Sequence, residues 1–107
     1  MNVLTLNEEM LLVAILSLGE HAYGVSIMEK IQKISDKTIV FGTLYNSLGQ
    51  LANKGYVTAT LGEPTPERGG KSKVFYKLTK KGLAALRETR ELHLALWALI
   101  PEPAANS

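Results

Sequence analysis

Residues 56–78 read YVTATLGEPTPERGGKSKVFYKL, with strand-forming residues at both ends and loop-forming residues in the middle. Both of its ends are rich in the β-branched and aromatic residues that favour strands, which predicts strands over 56–61 and 74–78. The segment between them, Gly62–Lys73, contains two prolines and three glycines, which interrupt regular structure. We therefore expect an antiparallel hairpin with a long exposed tip, which we call the wing. The apolar residues that alternate along the first strand and predict one buried face are Val57, Ala59 and Leu61.

Two helical patterns lie at the start of the chain. We expect Asn7 to cap the first helix ahead of an acidic first turn that suits the positive end of the helix dipole, and Gly19 to end it. The second pattern runs over 23–35 and is amphipathic. Its predicted buried residues are Ile27, Ile31 and Ile34.

A third helix is predicted from Thr43 to Lys54, after a short connection over 36–42. Glycine at position 55 ends it, as glycine often does just past a helix. At 100° per residue, three leucines of this helix form one narrow stripe, which predicts burial of Leu44, Leu48 and Leu51.

The last helix is predicted to start after a Thr79 cap and to end before Pro101. From Leu92 to Ile100 every residue except His93 is apolar, so this segment is apolar on more than one face. Such a surface predicts a partner beyond the chain's own core, and the simplest partner is a second copy. The candidate residues for this interface are Leu92, Leu96, Trp97 and Ile100.

The order of three helices, strand, wing, strand and helix predicts an α+β, mostly α, winged helix-turn-helix fold. We divide it into a winged helix domain over 1–80, a C-terminal dimerisation helix over 81–100 and a disordered tail over 101–107. In this fold the third helix enters the DNA major groove and the hairpin flanks it.

Composition limits the function classes. The chain has 107 residues and no cysteine, which excludes a disulfide scaffold, thiol catalysis and the common structural zinc sites. No apolar run approaches the roughly 20 residues that span a bilayer, so we expect a cytoplasmic protein without a membrane partner. The formal net charge is only +2, but positive charge is concentrated in residues 37–81.

The exposed face of the third helix suits DNA reading. It carries amide and hydroxyl side chains, and no carboxylate occurs from Thr38 to Leu61. Asn and Gln pair with adenine edges, and a face without acids does not repel phosphate. The candidate residues are Thr43, Asn46, Ser47, Gln50, Asn53 and Lys54. An ordinary solvated polar face would show the same residue types, so this helix alone leaves that alternative open.

The wing offers phosphate contacts through Arg68, Lys71 and Lys73, which surround a pair of glycines. Glu63 and Glu67 dilute that charge, and glycine-rich hairpin loops of mixed charge are commonly only solvated. The position of the wing directly after the third helix strengthens the interpretation that it contacts phosphate.

The sequence resembles the PadR family of bacterial transcriptional regulators over about residues 4–87. The matching motifs are His21-Ala22-Tyr23-Gly24, Gly42-Thr43-Leu44-Tyr45 with Leu48 and Leu51, Lys54-Gly55-Tyr56-Val57, Arg68-Gly69-Gly70-Lys71, Tyr76-Lys77-Leu78-Thr79 and Gly82. The resemblance implies a homodimeric repressor on a near-palindromic double-stranded DNA operator, with Tyr45 contacting the DNA backbone. Asn46, where many members carry proline, and Gly49, within a helix, depart from the pattern and bear on base preference.

The short C-terminus is similar to that of the compact PadR subgroup, some of whose members bind flat aromatic drugs between tryptophans at the dimer interface. By that resemblance Trp97 is a candidate for a small aromatic effector. Core or dimer packing is the competing interpretation, since large aromatic side chains dominate interface burial with or without a ligand.

Catalysis is not expected. The two histidines, His21 and His93, have no paired catalytic group, and Glu88 and His93 do not share a helix face cleanly enough for a metal site. We predict no catalytic residue, metal or cofactor. The competing function is a winged helix dimer that senses a ligand or binds another protein without binding DNA.

Overall fold

A computed structural model describes residues 3–64 and 72–101. Four helices and two strands follow one another in the predicted order, with a short 3-10 turn at Gly19–His21 between the first two helices. The elements are α1 (Leu6–Leu18), α2 (Gly24–Ser35), α3 (Phe41–Asn53), β1 (Val57–Pro64), β2 (Ser72–Leu78) and α4 (Lys80–Trp97). The fold is mostly helical with a two-stranded antiparallel sheet, as predicted.

Helix α1 is capped by Thr5. The Thr5 hydroxyl accepts a hydrogen bond from the backbone N–H of Glu8 (3.2 Å), and the Glu8 carboxylate accepts one from the N–H of Thr5 (2.9 Å). This reciprocal pair satisfies two N–H groups that the helix cannot satisfy itself. The prediction that Asn7 is the cap is therefore wrong, and Asn7 lies inside the first turn.

The cores of α2 and α3 agree with the periodicity, but their ends differ from it. Leu44, Leu48 and Leu51 are all buried, which confirms the leucine stripe. Ile34 is 55% exposed, contrary to prediction, whereas Ile27 and Ile31 are buried. Only the first two turns of α2 contribute buried residues, so periodicity correctly identified its inner face but not the length of helix that is covered.

Helix α3 starts at Phe41, two residues earlier than predicted, and the connection before it is correspondingly shorter. It ends before Gly55, whose φ of +80° belongs to the left-handed region that glycine adopts without steric cost.

The hairpin is longer than the sequence predicts. Both strands extend into the segment assigned to the wing, and the register pairs Val57 with Leu78 and Leu61 with Val74. Val57 is buried, but Ala59 is exposed and Leu61 is 69% exposed. The predicted buried face is therefore wrong beyond Val57, because the outer half of the hairpin extends past the helical core.

The chain just before α2 pairs with β2 through an isolated bridge. The backbone N–H of Tyr76 donates to the carbonyl of Ala22 (2.8 Å), and Tyr23 forms an isolated bridge with Phe75. These contacts place the start of α2 directly beside β2.

Helix α4 begins at the predicted Thr79 cap, whose hydroxyl accepts from the N–H of Gly82 (3.0 Å). Its first half packs on the core, where the buried Thr89 hydroxyl accepts from the N–H of Leu4 (3.0 Å). The helix ends at Trp97, three residues before the predicted end at Ile100. Residues 102–107 of the predicted disordered tail lie outside the described residues.

Candidate nucleic-acid interface

The face of α3 opposite the leucine stripe is exposed. Because the stripe fixes the helix against the core, the remaining side chains are held outward as one surface. The exposed candidates are Thr43, Tyr45, Asn46, Gln50, Asn53 and Lys54, whereas Ser47 is half-buried at the margin. The predicted reading residues therefore lie on one side of a rigid element.

Tyr45 reaches from α3 toward the start of α2. Its ring stacks on that of Phe41, with centroids 6.1 Å apart and an interplanar angle of 21°. The phenol end lies against the Cα of Gly24, and 47% of the residue is exposed. Tyr76 is also nearby: burial, with a smaller contribution from Tyr45, raises the pKa of its phenol. The side chain of Tyr45 thus packs against Phe41 of its own helix and against the start of α2, while nearly half of the residue remains exposed.

Lys54, at the end of α3, forms an ion pair with Glu8 of α1 at 2.6 Å. The hydrogen bond from Lys54 lowers the pKa of the Glu8 carboxyl, and the same bond raises the pKa of the Lys54 ammonium. No carboxylate is close to Lys54 in the sequence, so sequence reasoning missed this partner. The ion pair neutralises one of the charges predicted to face phosphate.

Only one of the three basic wing candidates lies within the described residues. Lys73 belongs to β2, and its ammonium nitrogen lies 4.0 Å from the centre of the Tyr23 ring. That ring meets Phe75 edge to face, with centroids 5.7 Å apart. Arg68 and Lys71 lie outside the described residues. The base of the wing is therefore joined to the turn before α2 by aromatic and cation–π contacts.

The end of α4 presents a second exposed surface. Of the predicted partner residues, Leu96 and Trp97 are exposed and Leu92 and Ile100 are half-buried. Leu94 and Leu99, which are not among the predicted interface residues, are also exposed.

Helix α1 also carries exposed apolar residues. Its exposed apolar residues Leu6, Val13 and Leu16 fall on the face that also carries Glu9, because positions three, four and seven apart share one side of a helix. His93 of α4 bonds Glu9 there, with Nε2 and Oε1 3.0 Å apart. This bond joins the two helices, and we call the exposed apolar residues of α1 and of the end of α4 together the apolar face.

Neither histidine joins a metal site in the described part of the chain, where no cluster of three or more His, Asp or Glu side chains is placed to hold a metal ion. Across residues 3–64 and 72–101, no helix has the length and apolar character needed to cross a membrane.

Comparison with known families gives a match over residues 12–88 to the transcriptional regulator PadR-like family. A PadR-like transcription factor from Bacteroides fragilis is 31% identical in sequence, with a TM-score of 0.68 over 84% of this chain and 82% of that one. Comparison with curated proteins gives no significant match.

Two more distant structures share the fold. A PadR-like regulator from Bacillus cereus is 24% identical, with a TM-score of 0.69 over 84% of this chain and 82% of that one. A transcriptional regulator from Clostridium thermocellum is 22% identical, with a TM-score of 0.69 over 86% of each chain.

Proposed function

The chain belongs to the PadR-like family of transcriptional regulators, and on that premise we propose that it binds specific sequences of double-stranded DNA as a homodimer. The observation that carries the proposal is the exposed face of α3, which offers amide and hydroxyl groups and no carboxylate. Helix α3 would enter the major groove, where these groups can distinguish base pairs.

Within this arrangement the side chains have different tasks. Asn46 and Gln50 suit bidentate bonds to adenine, and Thr43 can offer its methyl group to thymine. We assign contacts with the DNA backbone to Tyr45 and Lys73, and also to Arg68 and Lys71 of the wing. Ser47 stands at the margin of this surface.

Lys54 would contribute differently. Its ammonium group already has a carboxylate partner in Glu8, so a phosphate would have to compete with that ion pair. We therefore expect Lys54 to add less to DNA affinity than the lysines of the wing.

The apolar face supports the homodimer. Exposed apolar residues on α1 and at the end of α4, including Trp97, are of the kind that marks protein interfaces. A twofold axis through this face would place two α3 helices on successive major-groove half-sites, which predicts a near-palindromic operator. We propose that the dimer represses transcription in the cytoplasm by occupying that operator.

A small aromatic effector would bind at the same face. Trp97 is 61% exposed in the single chain and would meet its partner's tryptophan or a planar ligand in the dimer. Replacing Trp97 by Ala tests this site: a variant that still dimerises should lose binding of planar aromatic compounds. Unchanged binding would leave only a packing role for the tryptophan.

The DNA proposal is tested by selecting bound sequences from a random duplex library and titrating the selected duplex by fluorescence anisotropy. A dimer that touches on the order of six to ten phosphates should give a log–log salt slope of about −5 to −9. Absence of binding at low salt would instead favour a ligand-sensing or protein-interaction dimer that does not bind DNA.

A further inference from the structure

We infer that Gly24 is a positioning residue for DNA binding: its lack of a side chain provides the space in which Tyr45 is held. This inference rests on the proposed function, because it assumes that Tyr45 faces DNA. It concerns a residue that is itself buried at the first position of α2 and has no side chain with which to contact a ligand.

The backbone does not require glycine at this position. Positive φ values occur at Gly19, Gly55 and Asp36 within the described residues, but not at Gly24. Gly24 therefore has a conformation open to any residue, and alanine has a higher helix propensity than glycine. The reason for glycine must lie in what surrounds it.

The space beside Gly24 is filled by Tyr45. A Cβ atom built on Gly24 would lie 2.7 Å from Cζ and 3.1 Å from Cε1 of the tyrosine ring, and closer still to the hydroxyl oxygen. Carbon atoms in contact are normally separated by about 3.5–4.0 Å. A methyl group on residue 24 and the present position of Tyr45 are therefore incompatible.

Gly82 provides a contrast, because the atoms that an added Cβ would meet there belong to the backbone and not to a side chain. A Cβ atom there would meet the backbone of Tyr56, at 3.0 Å from the carbonyl carbon and 3.2 Å from Cα. That backbone carries hydrogen bonds to Thr79 and Leu51 and cannot withdraw without disturbing the fold. At Gly24 the obstacle is the far end of a side chain, so alanine would displace Tyr45 and leave the fold intact.

The displacement would affect the DNA-facing surface. Tyr45 adjoins Asn46 on the exposed face, and its ring is held between Phe41 on one side and Gly24 on the other. The neighbouring Tyr23 carries the ammonium group of Lys73 on its ring. The dipeptide Tyr23-Gly24 thus contacts one side chain from the reading helix and one from the wing.

The experiment is a double-mutant cycle with wild type, Gly24→Ala, Tyr45→Ala and the double variant, each titrated with the duplex that wild type selects. We expect each single variant to bind on the order of tenfold more weakly, and the double variant to bind no more weakly than Tyr45→Ala. Thermal unfolding should show Gly24→Ala at or above the wild-type midpoint, whereas Gly82→Ala should fall well below it.

Three outcomes overturn the inference. Additive losses in the cycle would show that Gly24→Ala acts independently of Tyr45. If Gly24→Ala or Tyr45→Ala binds the duplex as tightly as wild type does, the substituted residue has no role in DNA binding. The DNA-binding proposal would still hold in that case, because the wild-type protein binds. Absence of binding by wild type, at low salt and with every duplex, would instead contradict the proposed function itself.

Discussion

The exposed surfaces of α3 and α4 differ in kind, although both helices pack one face on the same core. On α3 the outward side chains are amides and hydroxyls, backed by three buried leucines. On α4 beyond Thr89 they include Leu94, Leu96 and Trp97 together with the charged Arg90 and Glu91. Under the proposed function, the outward face of each helix matches the chemistry of its partner: a polyanion for α3 and an apolar surface for α4.

The two surfaces also differ in support. Helix α3 is held along its length by the three buried leucines of the stripe. Helix α4 is held up to Thr89, and beyond that His93 reaches Glu9 of α1. A second chain would therefore stabilise the end of α4 far more than it would stabilise α3.

The largest effect is expected from Trp97→Glu. A carboxylate on the apolar face would have to be buried without a partner in the proposed dimer, so the chain should become monomeric. Affinity for a two-half-site duplex should fall about a hundredfold or more, because the two reading helices are no longer linked. Sedimentation and anisotropy measure the two effects. Ala84→Glu introduces the same charge at an exposed position of the same helix and is the matched control, and a dimeric Trp97→Glu protein would contradict the assignment.

Gln50→Ala should affect recognition and leave assembly unchanged. Loss of a bidentate base contact costs about 1–3 kcal/mol of discrimination, so the selected duplex should lose affinity while random duplexes keep theirs. Gln32→Ala makes the same change on an exposed position of α2 and should leave both affinities unchanged. Equal weakening on selected and random DNA would show that Gln50 does not read bases.

Thr89→Val tests the hydrogen bond that joins α4 to the N–H of Leu4 at the last buried position of the helix. Valine keeps the shape but leaves the buried N–H of Leu4 without its acceptor, which should cost about 1–3 kcal/mol in the free energy of unfolding. Urea denaturation provides the measurement, and Thr89→Ser, which retains the hydroxyl, should lose less. If valine proves as stable as threonine, this bond does not anchor α4.

The smallest effect is expected from Glu8→Gln, which removes the ion pair with Lys54. Glutamine preserves the capping bond to Thr5. Because the pKa of Glu8 is lowered in the folded chain, its contribution is complete above the usual glutamate pKa and is lost as pH falls through the folded value. The urea midpoints of wild type and variant should therefore differ slightly at neutral pH and converge as the pH falls through the lowered pKa of Glu8. A difference that persists in acid would require another cause.

Much of the fold followed from short-range pattern. The leucine stripe, Gly55 and the Thr79 cap were predicted from neighbours within a few positions, and the structure confirms each of them. The predictions that were wrong, at Asn7, Ile34 and Leu61, concern where an element starts or where the core ends. A repeating pattern does not carry that information, because it continues past the edge of the surface that covers it.

The order of the elements, the inner faces of the helices and the two kinds of exposed surface follow from the sequence, because side-chain periodicity and polarity are properties of consecutive residues. Which residues from distant parts of the chain come into contact depends on the tertiary structure. It brought Glu8 to Lys54, Gly24 to Tyr45 and Tyr23 to Lys73. These contacts join separate elements, and their geometry is set by how the helices and the hairpin pack on the shared core rather than by any local preference.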